Sequence, residues 1–113
     1  MIEDIVINYL QQNTGIPCYG EIPETQPDEF IVVERNSGYR RDYIDHATLF
    51  VFSYSRNSKV RACEIDREVL YAMEKLIERS DICRVDQENS FDDTDTSRKD
   101  YRYRAEYALV FYG

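Results

Sequence analysis

The side chains of this chain that can do chemistry are few and not spaced for it. His46 is the only histidine. A general-base or nucleophile-activating role would need a partner such as Cys63 or Cys83 within hydrogen-bond reach, and no spacing suggests one. It is read as a structural or surface histidine at the start of a strand. The acidic run Asp92, Asp93 and Asp95 invites a calcium loop, but starting at Asp93 puts Arg98 where glycine is needed and Arg104 where the bidentate glutamate should stand. Asp86 and Glu88 could bind a divalent ion loosely or form a hydrolytic pair, but without a histidine or a fixed scaffold a solvated acidic loop is the preferred reading. With only four glycines there is no G-x-G-x-x-G, Walker motif or G-x-S-x-G, hence no phosphate cradle or nucleophile elbow. Cys18, Cys63 and Cys83 are an odd number without a C-x-x-C and are read as reduced thiols acting as small hydrophobes. The interleaved Tyr101, Arg102, Tyr103 and Arg104 could stack single-stranded bases. Strict alternation sends Tyr and Arg to opposite faces, however, and lines the tyrosines up with Leu109 and Phe111 as core. No catalytic residue, metal ligand or cofactor is therefore assigned, and an enzyme is not expected.

The elements follow from periodicity. Ile2, Ile5, Val6, Tyr9 and Leu10 lie on one stripe of a helix that Gly15 and Pro17 stop. Cys18 to Ile22 reads as a short strand and Glu24 to Asp28 as a turn. Phe30 to Arg35 (FIVVER) is a strand buried on both faces at its start. A loop is expected from Ser37 to Asp42. Asp45 to Ser55 is a strand with Thr48, Phe50, Phe52 and Tyr54 on one face and Ala47, Leu49, Val51 and Ser53 on the other, the aromatic face lying under a helix. Asn57 or Ser58 caps a helix to about Arg79, with Cys63, Ile65, Val69, Leu70, Met73, Leu76 and Ile77 as its apolar stripe. That helix is a crossover that makes the following strand parallel to the preceding one and the sheet mixed. Ile82 to Gln87, extending toward Phe91, and Tyr101 to Tyr112 are the last strands, joined by the polar Asp92 to Asp100. The order α-β-β-β-α-β-β implies one two-layer α+β domain over residues 1–113, with a mixed, largely antiparallel sheet of four or five strands and two helices on one face.

The chain has 113 residues, 42% of them hydrophobic, with 10 Tyr and 5 Phe, enough for a core without staples. Its 14 basic against 22 acidic residues leave a formal charge of −8, which repels a phosphate backbone. No apolar run approaches the roughly 20 residues of a spanning helix, and the acidic start is unlike a signal peptide, so a cytosolic product without membrane contact is expected. Charge is segregated: Met1 to Glu34 holds seven acids and no base. Arg35, Arg40 and Arg41 cluster beside Asp42, and Arg98, Lys99, Arg102 and Arg104 beside Asp100. Such segregation suits contact between copies of one protein.

Certain fragments come in a familiar order. They are the N-terminal amphipathic helix, FIVVER-x-x-G (Phe30 to Arg35, then Gly38), D-x-A-x-L-x-V (Asp45, Ala47, Leu49, Val51), and Ser55 to Ser58 with Ala62. A terminal strand with Arg102, Tyr103, Ala105 and Tyr107 completes the set. The chain resembles, over nearly its full length, the tail-terminator or tail-completion (minor tail, head-tail joining) proteins of long-tailed bacteriophages and prophages. The resemblance implies a non-enzymatic virion assembly protein forming a homo-oligomeric, commonly hexameric, ring. That ring would cap the tail tube, end its elongation and meet the head connector or stopper protein. It implies a place in the host cytoplasm during assembly and then at the head-proximal end of the tail, with DNA only passing through the channel. Subunit and tube contacts are expected on Tyr39, Arg40, Arg41 and Asp42, and on Asp92, Asp93, Asp95, Arg98 and Lys99. A neighbouring head-tail connector or stopper, and a small ligand-binding regulatory domain, are the alternatives.

Overall fold

A computed structural model describes residues 2–94 and 101–112. Its elements are α1 (Ile2–Thr14), β1 (Cys18–Tyr19), β2 (Glu29–Arg41), β3 (Ile44–Ser55), α2 (Lys59–Lys75) with a 3-10 turn (Leu76–Glu78), β4 (Ile82–Asp92) and β5 (Tyr101–Phe111). Local chemistry sets the boundaries. Gly15 takes the left-handed conformation (φ 72°) that ends α1, its N–H returning to the Gln11 carbonyl at 3.0 Å. Ser58, in extended backbone, caps α2 by accepting from the Arg61 N–H at 3.3 Å.

The five strands form one sheet in the order β1-β2-β3-β5-β4. β1 pairs with β2 in parallel, and every other pairing is antiparallel. This is the expected mixed α+β fold. The α2 crossover does bring β4 into the direction of β3, but β5 pairs between them, so the sheet's parallel pairing is β1 with β2 instead.

Both helices lie on one face. Ile2, Val6 and Leu10 of α1 and Ile65, Val69, Met73 and Leu76 of α2 are buried against Ile31, Val33, Leu49, Val51, Tyr107 and Leu109 of the sheet. Tyr9 is only half-buried and donates its hydroxyl to the Ala72 carbonyl at 2.6 Å, tying the two helices together. Ile77, expected on the α2 stripe, is exposed because the helix tightens to 3-10 geometry at Leu76 and rotates it outward. Cys18 is buried as expected of a small hydrophobe, and burial pushes its thiol up to about 12. Cys83 is exposed instead, since β4 is an edge strand.

Two further expectations are corrected. The segment Ser37 to Asp42 is not a loop: β2 runs to Arg41, paired with β3 down to Arg41 opposite Ile44. A register shift between Arg35 and Ser37 absorbs Asn36 as a bulge, and the turn shrinks to Asp42 and Tyr43, at φ 52° and 66°. Two successive positive φ values are what a two-residue type I′ hairpin needs. Cross-strand pairing with β3 overrides the turn-like composition of Asn-Ser-Gly. The second correction concerns the face of β3. The small Ala47, Leu49, Val51 and Ser53 side lies under the helices, while Phe50, Phe52 and Tyr54 point to the face that no described helix covers.

Candidate functional site

The uncovered face is built in rows by the strand register. One row runs Phe30, Tyr54, Arg102; the next runs Tyr19, Val32, Phe52, Arg104, Phe91; a third runs Glu34, Phe50, Glu106, Asn89. At one end Phe30, Val32 and Tyr54 form a small core of their own, with Phe30 and Tyr54 stacked at 4.4 Å and Tyr19 edge-on to Phe30 at 6.2 Å. Arginines roof the rest. The Arg104 guanidinium lies 4.0 Å from the Phe50 centroid, with Phe91 at 5.7 Å and Phe52 at 5.9 Å. Arg102 lies over Phe52 at 5.3 Å, donates to the Tyr54 hydroxyl at 3.3 Å and pairs with Asp93 at 2.8 Å. Arg102 is held protonated despite burial, which pulls the other way, by Tyr54 and Asp93.

The outer half of β2 with its turn, Glu34–Tyr43, forms an exposed arm along the sheet's edge: β1 reaches only Val32, while β3 stays paired with β5 up to Asp45. From Glu34 to Tyr43 every residue of this segment is exposed, although β2 pairs with β3 on either side of the Asn36 bulge as far as Arg41. Of the residues expected to make contacts, Tyr39 (62% exposed) stacks on His46 at 4.5 Å and Arg40 reaches Asp45 at 3.5 Å. Arg41 makes no ion pair with a described residue, and Asp42 forms the turn. Beside it Tyr43 is 83% exposed. The Arg35 guanidinium lies against Gly38 and reaches Glu3 of α1 at 3.7 Å.

Asp92 and Asp93 sit at the other end of the sheet, where β4 turns toward β5. Asp92 pairs with Lys59 at 2.6 Å and accepts from the Thr94 N–H at 3.0 Å, and Lys59 first, then Thr94, draw its carboxyl down to about 2. Asp93 holds Arg102 and donates its N–H to the Arg102 carbonyl at 2.8 Å. Both acids thus have intramolecular work in closing the hairpin. Asp95, Arg98 and Lys99 lie outside the described residues. The two predicted clusters are not brought together: by register seven to nine residues of β3 separate Tyr39 and Arg41 from Asp92, about 24–31 Å at the usual strand rise.

Two concavities accompany these surfaces. A depression of 130 Å³ lies at the arm's root beside Ser37, Tyr39, His46, Thr48 and Val110. A groove of 380 Å³ runs between α2 and Tyr103, lined by Lys59, Val60, Cys63, Glu64 and Arg67. Beside that groove the neighbouring Cys63 side chain, and then burial, raise the Tyr103 phenol above its ordinary value. Among the described residues no three His, Cys, Asp or Glu side chains gather as metal ligands, and no described helix is long and apolar enough to cross a membrane.

Sequence reasoning missed the roofed aromatic stripe as a surface. The signal was available: Arg102, Arg104 and Glu106 share a face of β5, and the β3 residues opposite them must share it too. No protein-family model matches the chain, and no curated protein matches its sequence.

Proposed function

We propose that this chain is a structural assembly protein of a long-tailed bacteriophage or prophage. In this reading its copies form a ring, hexameric in the family it resembles, that caps the tail tube, ends elongation and joins the tail to the head connector or stopper. The reading rests on the resemblance of ordered fragments along the chain. Its main support in the structure is the exposed edge segment Glu34–Tyr43, held by pairing with β3 and carrying two exposed tyrosines and two arginines toward its end. Tyrosine and arginine are the residues that interfaces use as anchors, and an arm that buries nothing in its own domain has surface to offer a neighbour. The net charge of −8 suits a channel wall past which DNA slides without counterion-releasing contacts.

The test is electron microscopy of an induced lysate whose copy of this reading frame has been inactivated, beside the intact parent. Free heads with overlong or unjoined tails are expected. Normal infectious particles would refute the reading.

A further inference from the structure

Two unpartnered surfaces lie on opposite lateral edges of the sheet, on nearly the same row. On the β4 side is the Arg104 guanidinium, flat on Phe50 and flanked by Phe91, which is 43% exposed. Arg102, its neighbour on the same face, has Asp93 as its counter-ion. Arg104 has no ion pair with any described residue, and Glu106, two residues along, is engaged by the Asn89 amide at 3.1 Å. A guanidinium fixed by stacking keeps its N–H edge free and pre-organised for a carboxylate.

On the β1 side Tyr19 belongs to the same row as Arg104 and Phe91, because it pairs with Val32, which faces Phe52 and through it Arg104. The chain leaves Tyr19 parallel to β2 and enters the segment Gly20–Asp28. There Glu21, Glu24 and Asp28 are exposed without an ion pair to any described residue, and Ile22 is 52% exposed. One edge therefore offers carboxylates with an apolar side chain between them, and the other a stacked cation with an apolar ring beside it.

We infer that the partner of the Arg104 and Phe91 edge is the Gly20–Asp28 segment of a second copy of this chain, docked laterally, Glu21 or Glu24 on Arg104 and Ile22 on Phe91. The two edges are different surfaces, so the contact is heterologous and each copy still offers one of each, the condition for a closed ring rather than a dimer. A second copy placed beside the first, about five strand spacings or 24 Å along the row, brings its β1 side next to β4 at that level, and a rotation between copies would close the ring. The contact rests on the ring reading above and names its interface. It is distinct from the arm, which remains available to the tube.

The experiment compares the self-association of the wild-type chain, R104E and E21R/E24R by sedimentation velocity, with circular dichroism and thermal melting as controls for folding. Glu21 and Glu24 are exposed, so the loop variant keeps the test sound even if R104E uncovers Phe50 and melts early. Each variant alone is expected to associate at least about tenfold more weakly than the wild type, the loss of one interfacial charge pair. Mixing the two in equal amounts restores assembly, since the intact loop of one meets the intact Arg104 of the other and the reversed groups also match. A wild type that assembles while both variants still assemble overturns this contact and leaves the ring reading standing. Failure of the mixture to recover overturns it as well. A wild type that stays monomeric at its highest soluble concentration overturns the contact, and normal particles in the lysate test above separately overturn the ring.

Discussion

Asp66 faces the sheet from the buried side of α2, and its fate decides how that helix responds to pH. Ser90 of β4 donates to its Oδ2 at 2.6 Å, whereas the buried Oδ1 has no partner. Burial raises the Asp66 carboxyl above its ordinary value, and the Ser90 hydrogen bond and nearby Arg67 offset this only in part. Because the folded-state value is raised, the folded chain holds a proton that the unfolded chain has lost, so stability falls as pH rises from the unfolded value through the folded one. Asp66→Asn keeps an acceptor for Ser90 and removes the buried charge. It should stabilise the domain by about 1 kcal/mol at pH 7, near 5 °C in melting temperature at this size, with the gain vanishing below about pH 4. Ser90→Ala strips the remaining partner from a charged oxygen, which costs about 2 kcal/mol with Asp66 and under about 1 kcal/mol with Asn in its place. Urea unfolding of the four proteins of this cycle at pH 7 and near pH 3 measures both effects. Equal Ser90→Ala costs in the two backgrounds, or an Asp66→Asn protein less stable than wild type at pH 7, would refute the reasoning.

Reversing the arm with R40E and R41E should leave the isolated domain within about 1 kcal/mol of wild type, since the exposed Arg40 has one partner, at 3.5 Å, and Arg41 none among the described residues. The same change should abolish joining to tubes, scored by electron microscopy, and intact joined tails would remove the arm from the contact. Tyr43→Gly relieves a tyrosine held at φ 66° and should stabilise the arm by about 1 kcal/mol, slowing hydrogen exchange of the Tyr39 to Asp45 amides roughly fivefold. Lys59→Met removes the main cause of the low Asp92 value, so a carbon-detected NMR titration should find that carboxyl moved up from about 2 toward the ordinary range. In the wild type the contribution of Asp92 is present above its unfolded value and lost only as pH falls through about 2.

The architecture was legible because the strong periodicities are the buried ones. The α1 stripe, the doubly buried start of β2 and the alternating Ala105, Tyr107, Leu109, Phe111 of β5 each report a face that water leaves on folding. The extent of β2 was not legible, because the arm buries nothing: Ser37 to Arg41 are strand only through the ladder β3 supplies, and a ladder writes no hydrophobic pattern. The face of β3 was misassigned for a related reason. Size suggested that phenylalanines belong under helices, whereas Ala47 and Ser53 let α2 come close to the sheet and the larger rings are sealed by arginine instead.

That sealing bears on how a small domain can both fold alone and leave surface for assembly. An open sheet face of bare Phe50, Phe52 and Tyr54 would be an aggregation hazard in a free monomer. Arg102 and Arg104 cover these rings with their aliphatic stems and stacked guanidiniums while presenting charge to water. The edges are guarded as well: β4 carries register shifts near Cys83 and Glu88, and β2 bulges at Asn36, irregularities that discourage unregulated strand addition. A partner that displaces water from an arginine already stacked in place orders little side chain in doing so, which favours specific docking over stickiness. Of the arginines that cover the aromatic face, Arg104 is also the one that the proposed contact with a second copy would use.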